Sequence, residues 1–264
     1  MPRRSCDRSV GDLMGRWLRL AIVVLLAGAA AASAQSGGRP APHRTDLEYD
    51  GRFTFVRLRW GGSSGGLMGF RGMSSAWNHD YPRAEEHLAL LLREITYIDA
   101  RTDGSRILAL DDPELFKYPI AYMWEPGFWQ LTDGEAASFR AYLLKGGFAI
   151  FDDFDHEHLY NLEANMQRVL PGAKFIELDE SNQVFDVFFR MKTIYFPDPR
   201  MGIRPTYYGI YENNDPSKRL MVIANHNADV AEYWEWSGTS LLPVDDSNEA
   251  YKLGINYFIY ALTH

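Results

Sequence analysis

The chain holds a single cysteine, Cys6, among its 264 residues. Cys6 lies within an N-terminal stretch of export-signal type. A chain cut after that stretch has no disulfide, no thiolate metal site and no cysteine nucleophile. Positive charge is also in short supply, with 27 Lys and Arg against 35 Asp and Glu and a net charge of −8. An acidic surface repels phosphate backbones, so nucleic acid is excluded as an expected partner. The apolar run from Leu20 to Ala27 is too short for a comfortable membrane span. The glycine-rich stretch from Gly61 to Gly69 has neither the G-x-G-x-x-G spacing nor the Lys-Ser/Thr ending of a P-loop, so a flap beside a crevice suits it at least as well as phosphate binding.

What is present is globular: 46% hydrophobic and 23% charged residues, with aromatics at 14%. Arg16 and Arg19 precede the apolar run, and Ala32-Ser33-Ala34 has the form a signal peptidase cleaves. Residues 1–34 are therefore expected to be a signal peptide and the mature protein periplasmic or secreted. An uncleaved N-terminal anchor, the only route to a membrane, is the rival expectation, and Met14 is an alternative start. Removal of five basic and two acidic residues would take the charge from −8 to −11. Residues 35–50, rich in Gly, Pro and polar side chains, read as a flexible linker. Residues 51–264 read as one domain.

Within it, Gly146-Gly147-Phe148-Ala149-Ile150-Phe151-Asp152-Asp153-Phe154 is the organising stretch. An apolar run of strand composition ends at two carboxylates, with a helical pattern on either side. Before it, Thr132 and Glu135 have capping-box spacing, opening a helix that buries Ala136, Phe139, Tyr142 and Leu143. After it, Asp155 is expected to cap a helix burying Leu159, Leu162, Met166 and Val169. Asp80 is expected to cap an earlier helix with Leu88, Leu91, Leu92 and Ile95 inward. Strands are expected at 53–60, 118–124, 174–178, 193–196, 207–211 and 220–224, and a final packed helix from about Asn248 to Leu262. Strands alternating with helices in the first half predict an α/β fold with a mostly parallel central sheet and a more strand-rich C-terminal half.

Several motifs carry a family resemblance: Trp77 with His79-Asp80-Tyr81-Pro82-Arg83, Leu110 through Pro119, Glu125-Pro126-Gly127 and Phe151-Asp152-Asp153-Phe154. Ile223-Ala224-Asn225 through Asp229, Glu232-Tyr233-Trp234-Glu235-Trp236 and Glu249 through Tyr257 add to it. With these the domain resembles the bacterial domain-of-unknown-function family 4159 over essentially its whole length. The resemblance implies a flavodoxin-like, class I glutamine amidotransferase-like layered fold. In that fold a Gly-Gly helix end before a buried strand leads to a nucleophile elbow, where Asp152 and Asp153 stand in place of the expected cysteine. Cysteine-dependent amidotransferase activity is therefore not carried over. Some members of the family sit in larger envelope proteins, which points to an envelope role.

The candidate catalytic residues are Asp152, Asp153, Glu125 and His79. Adjacent carboxylates supply a general base or a hard-metal ligand, or they simply cap helices and bind backbone. If the strand continues through them they alternate sides, so at most one faces a given crevice. If Glu125 ends a neighbouring strand it would converge with them, and a carboxylate pair across a crevice is a pattern glycosidases use. His79 just outside a helix start lies near donors suited to an anion. The candidate ligand-binding residues are Trp77, Asp80, Asn225, Asn227, Asp229, Glu232 and Trp234, amides, carboxylates and indoles that suit a polyhydroxylated ligand. The alternative for Glu232 to Trp236 is a turn followed by a hairpin strand. His156 and His158 would diverge on a helix, so no metal is assigned, and no cofactor. The expected function is a non-catalytic envelope or periplasmic binding or assembly protein with a glycan or protein partner. The alternative is a hydrolase, glycan-directed or metal-assisted, using Asp152 or Asp153, Glu125 and His79.

Overall fold

The computed structural model describes residues 43–61, 73–195 and 202–264. The expected signal peptide and most of the glycine-rich flap lie outside the described residues. One sheet has the order β2-β1-β3-β4-β7-β6-β5. Its strands are β1 (Val56–Arg59), β2 (Arg106–Ala109), β3 (Ile120–Trp124), β4 (Phe148–Phe154), β5 (Ile176–Leu178), β6 (Thr206–Tyr211) and β7 (Leu220–His226). The pairs β2-β1, β1-β3, β3-β4 and β4-β7 are parallel, while β6 runs against both β7 and β5. This is the mostly parallel α/β sheet expected from the sequence.

Every residue of β3 and β4 is buried, as strands covered on both faces must be. Alternation sorts their side chains into two layers. Ile120, Tyr122, Trp124, Phe148 and Ile150 pack with Leu88 and Leu92 of α1 (Arg83–Ile95), Trp234 of α4 (Val230–Glu235) and Leu253 and Tyr257 of α5 (Val244–Thr263). Ala121, Met123, Ala149 and Phe151 pack with Phe139 and Leu143 of α2 (Asp133–Leu144) and Leu162 and Met166 of α3 (His158–Val169). The capping box of Thr132 and Glu135 opens α2 with both reciprocal bonds made. Its far end is closed by Arg219, whose guanidinium donates to the carbonyls of Leu143 and Gly147. No helix among the described residues is long and apolar enough to cross a membrane.

Five local expectations are corrected. Residues 43–50 do not hang free as a linker: Leu47 is buried, and the His43 ring binds both Glu86 and Ser105. Asp80 does not cap α1; its carboxylate accepts from the Trp124 indole at 2.7 Å instead. Asp155 makes no side-chain cap on α3. Residues 193–195 are not a strand. The backbone N–H groups of Phe188, Phe189 and Lys192 leading into them donate to the side chains of Asn256 and Glu249 on α5 rather than to a ladder. Glu232 to Trp236 is not a hairpin strand but lies in and just beyond the short helix α4.

Candidate functional site

Parallel strands all open at one end, and here the ends of β3, β4 and β7 each place a carboxylate-bearing turn at the same rim. The Glu125 N–H donates to the Asp152 carbonyl at 3.0 Å, tying the end of β3 to β4. The loop after β7 is stitched to β4 by Asp153 N–H to Ala228 at 3.1 Å and Asn227 N–H to Phe154 at 2.9 Å. The segment after β1 brings His79 and Asp80 over this rim. Asp80, Glu125, Asp153 and Asn227 all take left-handed backbone, with φ of 59°, 47°, 58° and 56°. Asp and Asn visit that region at small cost; a Glu has no such compensation, and its strain is on the order of 1 kcal/mol or more.

The left-handed Asp153 breaks the strand alternation, and β4 shifts register against β7 between Phe151 and Phe154. That bulge gives two adjacent carboxylates different fates. Asp153 meets His79 and Glu125. One atom, His79 Nδ1, lies 2.7 Å from Glu125 Oε1 and 3.0 Å from Asp153 Oδ2. The two acids raise the imidazole pKa to about 10, Asp153 contributing most through its hydrogen bond and Glu125 next. The carboxylates are 4% and 15% exposed, and the His79 side chain is 48% exposed. The three ligand atoms lie within 4.8 Å of one another.

Asp152 points into the α1/α4/α5 layer and is fully buried. Its Oδ2 accepts from Tyr122 Oη at 2.6 Å and from the N–H groups of Val230 and Ala231 at 3.0 Å each. Its Oδ1 accepts from Asn225 Nδ2 at 2.9 Å, and Tyr257 Oη donates to Asn225 Oδ1 at 3.0 Å. Burial raises the Asp152 pKa to about 6, and these donors oppose that rise. The carboxylate binds the first two N–H groups of α4, where the helix dipole also favours a negative charge. Asp152 is a cap, for a helix 78 residues further along the chain rather than for its own neighbour.

The expected ligand-binding residues separate in the same way. Trp234 is fully buried and its indole donates to the Ala250 carbonyl, and Asn225 belongs to the Asp152 network. Asn227 holds the His156 N–H. Half-buried Trp77 offers its carbonyl to Arg57. Asp80, Glu232 and Glu235 form a second group with ligand atoms within 4.8 Å. Asp229 caps α4 through the Glu232 N–H. Burial, followed by the charge of Asp153, pushes the carboxyls of Asp80 and Asp229 well above the usual range. His156 is exposed and His158 pairs with Asp155, and neither belongs to either group.

Two arrangements lie elsewhere. Ser105, His43 and Glu86 are linked by hydrogen bonds of 2.8 Å in the order of a catalytic triad, but Ser105 is fully buried. A cavity of about 240 Å³ lined by Phe116, Tyr142 and Lys145 lies by the opposite, amino-terminal ends of β3 and β4. The stretch Gly61-Gly62-Ser63-Ser64-Gly65 has the literal spacing of a G-x-S-x-G elbow, and its serines lie outside the described residues.

The sequence reading missed Arg57 and Glu85, a fully buried ion pair beneath the His79 segment. The signal was available. Arg57 shares a strand face with buried Phe55, and Glu85 sits in the stripe formed with Leu88 and Leu92.

No curated protein matches this chain. Residues 54–262 match the model of a family described as a domain of unknown function, DUF4159. That match covers most of the chain and nearly the whole described body, and the protein belongs to that family.

Proposed function

We propose that the protein is an exported, divalent-cation-assisted hydrolase whose cation is held by His79, Glu125 and Asp153. One observation carries this reading: a single ring nitrogen faces two carboxylate oxygens at 2.7 and 3.0 Å. One N–H cannot point well at both. A cation among the three atoms satisfies them together, and cis ligands about 2.1 Å from an octahedral metal stand about 3.0 Å apart. Two oxygens and an imidazole suit Mn²⁺ or Zn²⁺ better than a thiolate-seeking ion. The half-exposed His79 leaves one side open to solvent, the pattern of catalytic rather than closed structural sites. A bound cation there supplies a Lewis acid and lowers the pKa of water.

A non-catalytic binding or assembly role is the second reading. It is favoured by the imidazole pKa of about 10, which leaves His79 protonated and unable to act as a base at neutral pH without a cation. The strand order β2-β1-β3-β4-β7 and the left-handed Asp153 at the end of β4 support the finer likeness to flavodoxin-like folds with a strained elbow. In that likeness Asp153 occupies the elbow.

Metal analysis of purified protein, followed by a panel of glycoside, ester, amide and phosphodiester substrates with and without Mn²⁺, tests the proposal. Hydrolysis that depends on the metal and is lost in Asp153→Asn supports it. Cation binding without turnover of any class favours the second reading, and no cation binding removes the first.

A further inference from the structure

Arg57 sits in the middle of β1, fully buried, in the layer that holds Phe55, Tyr122, Trp124 and the apolar faces of α1 and α5. An arginine there must be desolvated, and well-packed apolar residues commonly replace such buried ion pairs with no loss of stability. Its donors are spent specifically. Nε and Nη2 form a fork on Glu85 of α1 at 3.0 and 2.7 Å. Nη1 donates to the carbonyls of Trp77 at 3.0 Å and His79 at 2.7 Å. The guanidinium carbon lies 3.4 Å from the ring centroid of Trp124. That ring donates to Asp80, and its residue immediately precedes Glu125.

We infer that Arg57 is a positioning residue for this site, one that holds the His79 backbone and the Trp124–Glu125 turn in a fixed relation. The inference rests on the proposed role of His79, Glu125 and Asp153. Lysine cannot reproduce it. A single ammonium lacks the planar fork that grips Glu85 while reaching two carbonyls on the other side. Residues that orient metal ligands typically contribute 10–100-fold to metal affinity, so removing the fork is expected to weaken binding by about that factor.

The test uses Arg57→Met and Arg57→Lys, crystal structures without added metal, and Mn²⁺ titrations of folded protein. The expected result is that His79 Nδ1 leaves hydrogen-bonding distance of Glu125 and Asp153 in both variants, while the sheet and α1 remain. Mn²⁺ affinity then falls about 10–100-fold. A residue that merely holds the fold would lower the urea midpoint and leave His79 in place, and that outcome overturns the inference. Failure of both variants to fold overturns it too, by assigning Arg57 to the fold. If wild-type protein binds no Mn²⁺, the cation reading fails, and the position of His79 in the variant crystals still decides the role of Arg57.

Discussion

Asp152 and Asp153 are neighbours in the chain and belong to different parts of the molecule. Asp152 is enclosed by Tyr122, Asn225 and the start of α4, which place donors on both of its oxygens. Asp153 faces an imidazole and another carboxylate at a rim where His79 remains half exposed. One region encloses its negative charge among donors; the other gathers it at the rim, where the proposed cation would bind. Donors on both oxygens of a buried carboxylate offset part of what its desolvation costs. Carboxylates gathered around one ring nitrogen repel each other and are offset by positive charge between them, from the imidazolium in the metal-free protein and, on the proposed reading, from a bound cation.

Asp152→Ala strands two side-chain donors and two backbone N–H groups in a dry layer. It is expected to lower unfolding free energy by about 3–5 kcal/mol in urea melts. Asp153→Asn should cost far less stability and should lower Mn²⁺ affinity at least about 100-fold in calorimetric titration. Equal stability losses for the two would erase the distinction.

The metal-free protein should also show a pH dependence set by the rim. His79, raised to about 10 by Asp153 and Glu125, stabilises the fold fully below about pH 6.5 and loses that contribution as pH rises through about 10. Asp80 and Asp229, raised chiefly by burial, favour their protons in the fold, so their ionisation also costs stability as pH rises from their ordinary range. Both effects have the same sign. The melting temperature should be lower at pH 9 than at pH 6, with Asp80→Asn reducing the slope and excess Mn²⁺ offsetting it. A flat or rising profile contradicts this account.

Smaller effects mark the edges of the two regions. A methyl group at Gly254 would lie 2.5 Å from the Trp234 ring, so Gly254→Ala should cost about 1–3 kcal/mol by overpacking. It should leave Mn²⁺ affinity unchanged, since Trp234 is core. His156→Asn, at an exposed left-handed position outside the acidic groups, should change stability by less than about 0.5 kcal/mol and cation binding not at all.

The layered fold was legible because β3, β4 and β7 are apolar runs bounded by glycine and polar turns, and because Thr132 and Glu135 announce α2. The ends of elements were less so. Asp80 has a capping residue's identity and neighbours, yet the Trp124 indole claims its carboxylate from another strand. Strand ends alone suggest that Glu125 meets the two aspartates; His79 stands out only by its place before an expected helix, beside donors for an anion and not beside carboxylates. Which of two adjacent aspartates would join them was not readable, because a bulge at Asp153 reverses the expected alternation. Trp234 and Asn225 look like binding residues by composition. Long-range partners, the Ala250 carbonyl and Asp152, make them structural instead.

The most direct test of the shared-cation site is an anomalous-scattering map from crystals grown with Mn²⁺. The account predicts a single peak within about 2.0–2.3 Å of His79 Nδ1, Glu125 Oε1 and Asp153 Oδ2. No peak there, with the imidazole still hydrogen-bonded to both carboxylates, would contradict it, as would a peak bound by Asp80, Glu232 and Glu235 alone.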